Sequence, residues 1–356
     1  MAQLTIGINN YIGVRGVSGS GVGGSAITAA LARGGHNTKP LSPTGYQIGS
    51  PARNLARMAY WDVIGASRAA VNSGSDLMIN LANSGFSPSL PTITVMHDTM
   101  VLDHPNYFHP VYRKYAQATF GPTARLSKIV VVPSVHSYKQ VLTRWPRCDV
   151  RVIPWSMEIP VTGPKVVPRS LNIVSIASSD RHKRLPMLAE TVRRLRSDTG
   201  LDFELTYVAK AGNDHHRLKD VVRTLNAEAG QNWISHISGG LHARELTELL
   251  DNSFCLAATA IDEGFCLPIL EASARAVPVV HSDRGAMAEI LPLKENFSSI
   301  SRTLSSDAES IYLQVMSLCD AQTWQARSEF GLTRAARFSV TDFQKSWLEL
   351  VDEARR

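Results

Sequence analysis

Asp262-Glu263-Gly264-Phe265-Cys266-Leu267-Pro268-Ile269-Leu270-Glu271-Ala272 is the stretch on which the fold turns. The apolar run Phe254 to Ala260 directly before it predicts a buried strand. Pro268 suits the first position of a helix, where its missing N–H costs nothing. Strand, loop and helix in that order put Glu263 just past the carboxyl end of a strand and Glu271 in the first helical turn. In an open α/β sheet this edge is where ligands bind. The free amides around Phe265, Cys266 and Leu267 point along a helix dipole whose positive end can hold a diphosphate. Gly264 lets the backbone come close to a ligand. A carboxylate accepts two hydrogen bonds side by side, so it can grip the vicinal hydroxyls of a ribose or hexose. An anion-binding helix start between two such acids suits a sugar nucleotide. The plainer roles are Glu263 as a helix cap and Glu271 as a complement to the dipole.

Outward from this stretch, short apolar strands alternate with helical patterns, which argues for parallel α/β domains. In the first half the strands fall at Leu4 to Ile8, Leu77 to Ile79, Thr92 to Met96 and Ile129 to Val132. Arg151 to Pro154 adds a last one. Helices are expected at Gly24 to Arg33, Pro51 to Ser73, Tyr112 to Leu126 and Ser137 to Thr143. Periodicity is lost between Pro160 and Arg169, a linker holding three prolines and Gly163. The second half restarts with strands at Asn172 to Ala177, Phe203 to Val208, Trp233 to Ile237 and Cys255 to Ala260. Helices at Leu185 to Arg196, Arg217 to Glu228 and Ala243 to Leu250 lie between them. The expected domains are 1–162 and 163–337, each doubly wound with a parallel sheet, facing each other across a cleft.

A chain of 356 residues with 44% hydrophobic residues can build two cores. No uncharged apolar run reaches the roughly 18 residues of a membrane-spanning helix. Met1-Ala2-Gln3-Leu4-Thr5-Ile6 starts in a strand-like pattern without a charged-then-apolar signal. Cys148, Cys255, Cys266 and Cys319 have no metal-binding spacing and read as reduced thiols in the cytoplasm. Lys and Arg exceed Asp and Glu by 37 − 31 = 6, with no polybasic block. That balance is compatible with an anionic substrate, with weak peripheral contact at an anionic inner membrane face, or with a generally basic soluble protein. Nucleic-acid binding finds no support, because zinc spacing, an aromatic RNA-binding signature and a basic helix are all missing.

The string Glu263-Gly264-Phe265-Cys266-Leu267-Pro268 with Glu271-Ala272 resembles the retaining glycosyltransferases of family 4, glycosyl transferases group 1, in the GT-B superfamily. Their hallmark is Glu-Gly-Phe-Gly-Leu-Pro-x-x-Glu-Ala, and the same seven residues separate the acids here. Cys266 stands where the family has its second glycine, and cysteine avoids positive φ. The resemblance continues through Ala276-Val277-Pro278-Val279-Val280 and Ser282-Asp283-Arg284-Gly285 to Glu289. It implies two Rossmann-like domains, with the acceptor on the first and the nucleotide-sugar donor on the second. It also implies that a final helix, 338–356, packs back on the first domain.

Three further segments gain meaning from the resemblance. Gly16 to Gly24 is glycine-rich and follows the first strand, where amides can meet phosphate. Gly19, Gly21 and Gly24 make a partial GxGxxG that also fits NAD, and a plain surface loop is the alternative. The pair Gly23-Gly24 resembles the family's loop beside the donor phosphates. His97-Asp98 follows a strand and resembles the family's His-Asp-Leu segment, in which the histidine lines the sugar; Asp98 also suits a turn cap. Ser178 to Arg184 resembles the family's basic loop. Lys183 matches the diphosphate lysine and Arg181 is its partner, while His182 stands where the family has arginine. A solvated basic loop is the plain alternative.

No GxSxG elbow, no phosphate-loop GxxxxGK[ST] and no Asp-x-Asp metal signature occurs. The resemblance therefore implies a metal-independent enzyme with no cofactor. It would move a hexose of mannose or glucose type from a GDP- or UDP-sugar to an acceptor hydroxyl on a glycan, a lipid-linked saccharide or a small product. His97 and Glu263 would work at the sugar. Gly23, Gly24, Arg181, Lys183, Gly264, Phe265, Cys266, Leu267 and Glu271 would hold the rest of the donor. Domain closure would exclude water. A sugar-nucleotide epimerase or hydrolase, an NAD-dependent dehydrogenase and a non-catalytic nucleotide-sugar binder remain open alternatives.

Overall fold

The computed structural model describes residues 3–9, 19–43, 57–158, 165–296 and 306–356. The chain divides into two units, Met1–Ser156 with Val340–Arg356, and Met157–Ser339. Each is a parallel-sheet α/β unit.

The first unit is built on six parallel strands in the order β2-β1-β3-β4-β5-β6. They are β1 (Thr5–Asn9), β2 (Asn37–Leu41), β3 (Leu77–Asn80), β4 (Thr92–Val95), β5 (Ile129–Val132) and β6 (Val150–Val152). All four residues of β3, β4 and β5 are buried, as a parallel sheet covered on both faces requires. β2 was not expected. Its Asn-Thr-Lys-Pro-Leu lacks an apolar run because it is the edge strand, where Pro40 is tolerated. The chain winds outward from β1 to β2, then returns to β3 on the other side. The switch point therefore lies between β1 and β3.

The first helix runs from Gly19 to Arg33, so Gly23 and Gly24 lie within it and not in the loop before it. The glycine run read as a loop because glycine is a poor helix former. Packing explains Gly23, since a Cβ there would stand 2.6 Å from the Trp155 ring. Of the expected helix Pro51 to Ser73, residues 51–56 lie outside the described residues. The remainder includes a π-helical turn, Trp61–Gly65, followed by Ala66–Asn72. The last helix, Val340–Arg355, packs on the first. It buries Phe343, Trp347, Leu350, Val351 and Ala354, one face at helical spacing.

The second unit has five parallel strands in the order β11-β10-β7-β8-β9. They are β7 (Leu171–Ser178), β8 (Phe203–Lys210), β9 (Ile234–Ile237), β10 (Cys255–Ala258) and β11 (Val279–His281). β7 and β8 pair along all eight residues. Leu188, Val192, Leu195, Phe203, Leu205 and Phe254 are fully buried in the core. The chain winds from β7 through β8 to β9, then crosses back to β10 and β11. The switch point falls between β7 and β10, and the carboxyl ends of those two strands border the crevice that such a reversal opens.

Candidate functional site

β7 and β10 each deliver one charged side chain to this switch point. After β7 the chain makes a 3₁₀ turn, Arg181–Lys183, and Lys183 N donates to Asp180 O at 2.9 Å. Thr259 Oγ1, from the loop after β10, donates to Lys183 O at 2.7 Å. Arg184 follows in the left-handed region, φ 55°, and ties the two loops together. It donates to Thr259 O at 2.8 Å and to Ala260 O at 3.2 Å, and pairs with Asp307 at 2.6 Å. Burial alone would raise the Asp307 carboxyl, but its bonds to Arg184 and Arg284 hold it below the usual range.

The loop after β10 is equally constrained. Buried Asp262 accepts from Glu263 N at 2.8 Å, and Glu263 O accepts from Ala286 N at 2.9 Å. Gly285, at φ +58°, fits beneath this turn, and a Cβ there would lie 2.7 Å from Glu263 N. The side chains then meet: the Lys183 ammonium pairs with the Glu263 carboxylate, both only 15–17% exposed. Cys266 adopts φ 73°, so a cysteine holds the left-handed position where the family pattern has glycine. Its thiol is pushed up by burial and by the Glu263 charge.

The helix Leu267–Ala274 begins here; Ile269 N closes back on Cys266 O at 3.1 Å and Pro268 has no N–H, which leaves the Leu267 amide without an intrahelical acceptor. Two expectations are corrected. Pro268 is the second helical residue, and Glu271 the fifth, because the helix starts one residue early at Leu267. Glu271 is therefore past the first turn, where a dipole complement would sit. Burial raises its carboxyl above the usual range, and it has no hydrogen-bond or ionic partner among the described residues. Such a carboxylate suits hydroxyl donors. Phe265 packs its ring into the core, 5.6 Å from the Phe338 ring, so only its backbone is available to a ligand. Arg181 is exposed, with its N donating to Asn213 Oδ1 at 2.9 Å, whereas His182 beside it is buried.

In the first unit His97 stands directly beyond β4. Its backbone N donates to Asn83 Oδ1 at 2.8 Å, and its Nε2 lies 3.0 Å from Leu81 O. A carbonyl only accepts, so Nε2 carries the proton and Nδ1 presents a lone pair. Burial lowers the His97 pKa, opposed by the Leu81 bond, so the ring is neutral near pH 7. The ring stacks on Trp155 at 5.8 Å. Asp98 caps the next turn, accepting from Met100 N at 2.9 Å.

Residues 166–309 match the family model described as glycosyl transferases group 1. A 144-residue stretch is 33% identical to the MMP α-(1→4)-mannosyltransferase of Mycolicibacterium hassiacum. That match covers 40% of this chain and 33% of the enzyme, so the chain spans about a third of the length of this curated relative. Two solved structures agree along nearly the whole chain. HepE of Anabaena, in complex with UDP and glucose, has a TM-score of 0.72 at 14% identity, covering 99% of this chain and 100% of that one. Sucrose-phosphate synthase of Thermosynechococcus elongatus has a TM-score of 0.77 at 13% identity, covering 99% of both chains. These likenesses establish the fold, which is GT-B.

The segment matching glycosyl transferases group 1 contains Arg181, Lys183, Glu263, Cys266 and Glu271. The resemblance identified those residues, but not their supports. Arg184 looks like part of a basic loop in the sequence, because its bonds to two carbonyls of the β10 loop leave no local pattern. Trp155 is far from His97 in sequence, and only the tertiary fold brings them together. Gly285 had a signal, since a glycine in the short Ser282-Asp283-Arg284-Gly285 loop beyond a strand marks a turn that can need positive φ.

Proposed function

We propose that this chain is a metal-independent retaining glycosyltransferase that moves a hexose from a nucleoside-diphosphate sugar to an acceptor hydroxyl. The observation that carries the reading is the content of the β7–β10 switch point. Lys183, a helix start and the carboxylates of Glu263 and Glu271 in different surroundings share a single sheet edge. The group 1 match covers that edge, and HepE of Anabaena, similar in fold, was solved with UDP and glucose. The mannosyltransferase relative favours a hexose donor.

On this reading Glu271 accepts the ribose hydroxyls. Lys183, Arg181 and the Cys266 and Leu267 amides hold the diphosphate and stabilise it as the glycosidic bond breaks. Glu263 accepts sugar hydroxyls. His97 Nδ1 accepts a further sugar hydroxyl, and its Nε2 stays committed to Leu81. The acceptor oxygen bonds to the anomeric carbon on the face the diphosphate leaves, and the departing phosphate oxygen takes the acceptor proton. The acceptor is a glycan or lipid-linked saccharide, and the four free cysteines fit work in the reducing cytoplasm.

A thermal-shift panel with UDP, GDP, ADP, their common sugars and NAD tests the donor site, because a ligand binding only the folded state raises the melting temperature. A rise with one nucleoside diphosphate and its sugar supports the reading and names the base. A rise with NAD alone replaces it with a dehydrogenase, and no rise with any nucleotide refutes the donor site. NMR of the product anomer, once a donor is known, decides between retention and inversion.

A further inference from the structure

Lys183 and Glu263 are each suited to a ligand, yet in the protein alone they pair with each other. Their backbones are fixed independently. Lys183 is held at both N and O, by Asp180 and Thr259. Glu263 is held at both N and O, by Asp262 and Ala286, over Gly285. Only the two side chains are left to rearrange. Both are largely shielded from water, so parting the two charges is costly unless replacement partners compensate. A diphosphate is such a replacement for the ammonium, and donated hydroxyls are one for the carboxylate.

We propose that the Lys183–Glu263 ion pair is an exchange latch. The nucleoside diphosphate takes the Lys183 ammonium away from Glu263, and the released carboxylate is then free to receive the sugar hydroxyls. The inference rests on the donor reading above and adds a regulatory step to it. In the empty site Glu263 competes with phosphate for Lys183. A diphosphate without its sugar leaves the freed carboxylate with no donor, whereas the intact sugar nucleotide satisfies both partners. The latch therefore favours the intact donor over the spent nucleotide, which helps product leave.

Calorimetric titration of UDP and GDP, with their glucose and mannose conjugates, into four proteins tests this. The proteins are wild type, Glu263→Gln, Lys183→Gln and the double variant. Glu263→Gln is expected to bind the bare diphosphate about five-fold tighter than wild type, the scale of one partly screened ion pair. The wild-type preference for the sugar conjugate should shrink with it. Simple repulsion between Glu263 and phosphate would also tighten binding, but it would persist without Lys183. The latch predicts that the gain disappears in the Lys183→Gln background. Unchanged or weaker diphosphate binding by Glu263→Gln overturns the latch, as does a gain that survives loss of Lys183. Glu263→Asp, which draws the carboxylate back by one methylene, should show the same tightening and covers the case in which the amide does not fold. If wild type binds none of these nucleotides, the donor reading fails as well.

Discussion

The molecule contains two sheet reversals of the same kind, filled with opposite chemistry. Between β1 and β3 the strands end in Asn9 and Asn80, both wholly buried. Asn9 Nδ2 donates to Asn80 Oδ1 at 2.8 Å, and Trp61 Nε1 donates to Asn9 Oδ1 at 2.9 Å. Asn80 Nδ2 reaches the carbonyls of Ala82, Ser84 and Gly85 within 2.9 Å. This neutral lattice shares the two Asn80 amide hydrogens among the carbonyls of one loop and ties that loop to β3. Between β7 and β10 the crevice holds a cation paired with an anion, both largely but not wholly shielded from solvent. Topology opens a crevice at both reversals, and the side chains decide whether it becomes a brace or a site.

The largest expected effect breaks the charged reversal. Lys183→Met and Glu263→Gln should each cut turnover about 100-fold or more, the scale of removing one group that stabilises developing charge. Steady-state kinetics with the donor found above checks this, and near-normal turnover in either would move the chemistry elsewhere. The next effect breaks the neutral reversal. Asn80→Ala should cost about 2–3 kcal/mol in urea denaturation, because it strands buried carbonyls and the Asn9 amide. A loss well below 1 kcal/mol would show that water or a local shift repairs the lattice.

A smaller effect sharpens the contrast in backbone strain. Arg184, Cys266, Ala276 and Asp283 have positive φ in the second unit, whereas no described non-glycine residue of the first unit does. Cys266→Val should destabilise by about 2 kcal/mol, since a β-branched residue fits φ 73° poorly. Cys266→Gly should be neutral or stabilising by up to about 1 kcal/mol, the relief being offset by unfolded-chain entropy. Equal stabilities for the two variants would mean that the turn relaxes.

The smallest effect concerns acid. Burial raises the Glu271 pKa in the free protein, and hydroxyls donate best to its charged form. Nucleotide affinity is therefore full above that pKa and falls as pH drops through it, earlier than an exposed glutamate would allow. Titrations between pH 7 and pH 5 should show a few-fold loss in wild type. The corresponding Glu271→Gln series should be flat, and a parallel decline in both would assign the titration to another group.

Much of the fold was legible because buried parallel strands are uninterrupted apolar runs, as in Ile129–Val132 and Cys255–Ala258. β2 escaped because an edge strand shows neither an apolar run nor clean alternation. The start of the first helix escaped because its glycines serve tight packing against Trp155, a requirement invisible without the partner. At the site, Lys183 and Glu263 were legible one at a time from their loops. Their pairing was not, because a spacing of 80 residues carries no geometry. Glu271 was legible as a residue but misplaced by one helical position, since a proline fits the second helical position as well as the first.

The stacking of Trp155 on His97 gives the protein an optical gauge. A protonated imidazole quenches the emission of an indole it touches, and a neutral one does so far less. Among the six tryptophans, Trp155 is the one whose light should dim as His97 takes up a proton. The difference in emission between wild type and Trp155→Phe, followed from neutral into acid solution, would read the charge of that histidine directly. A difference signal that stays flat would mean either that the two rings part in solution or that burial keeps His97 neutral across the range.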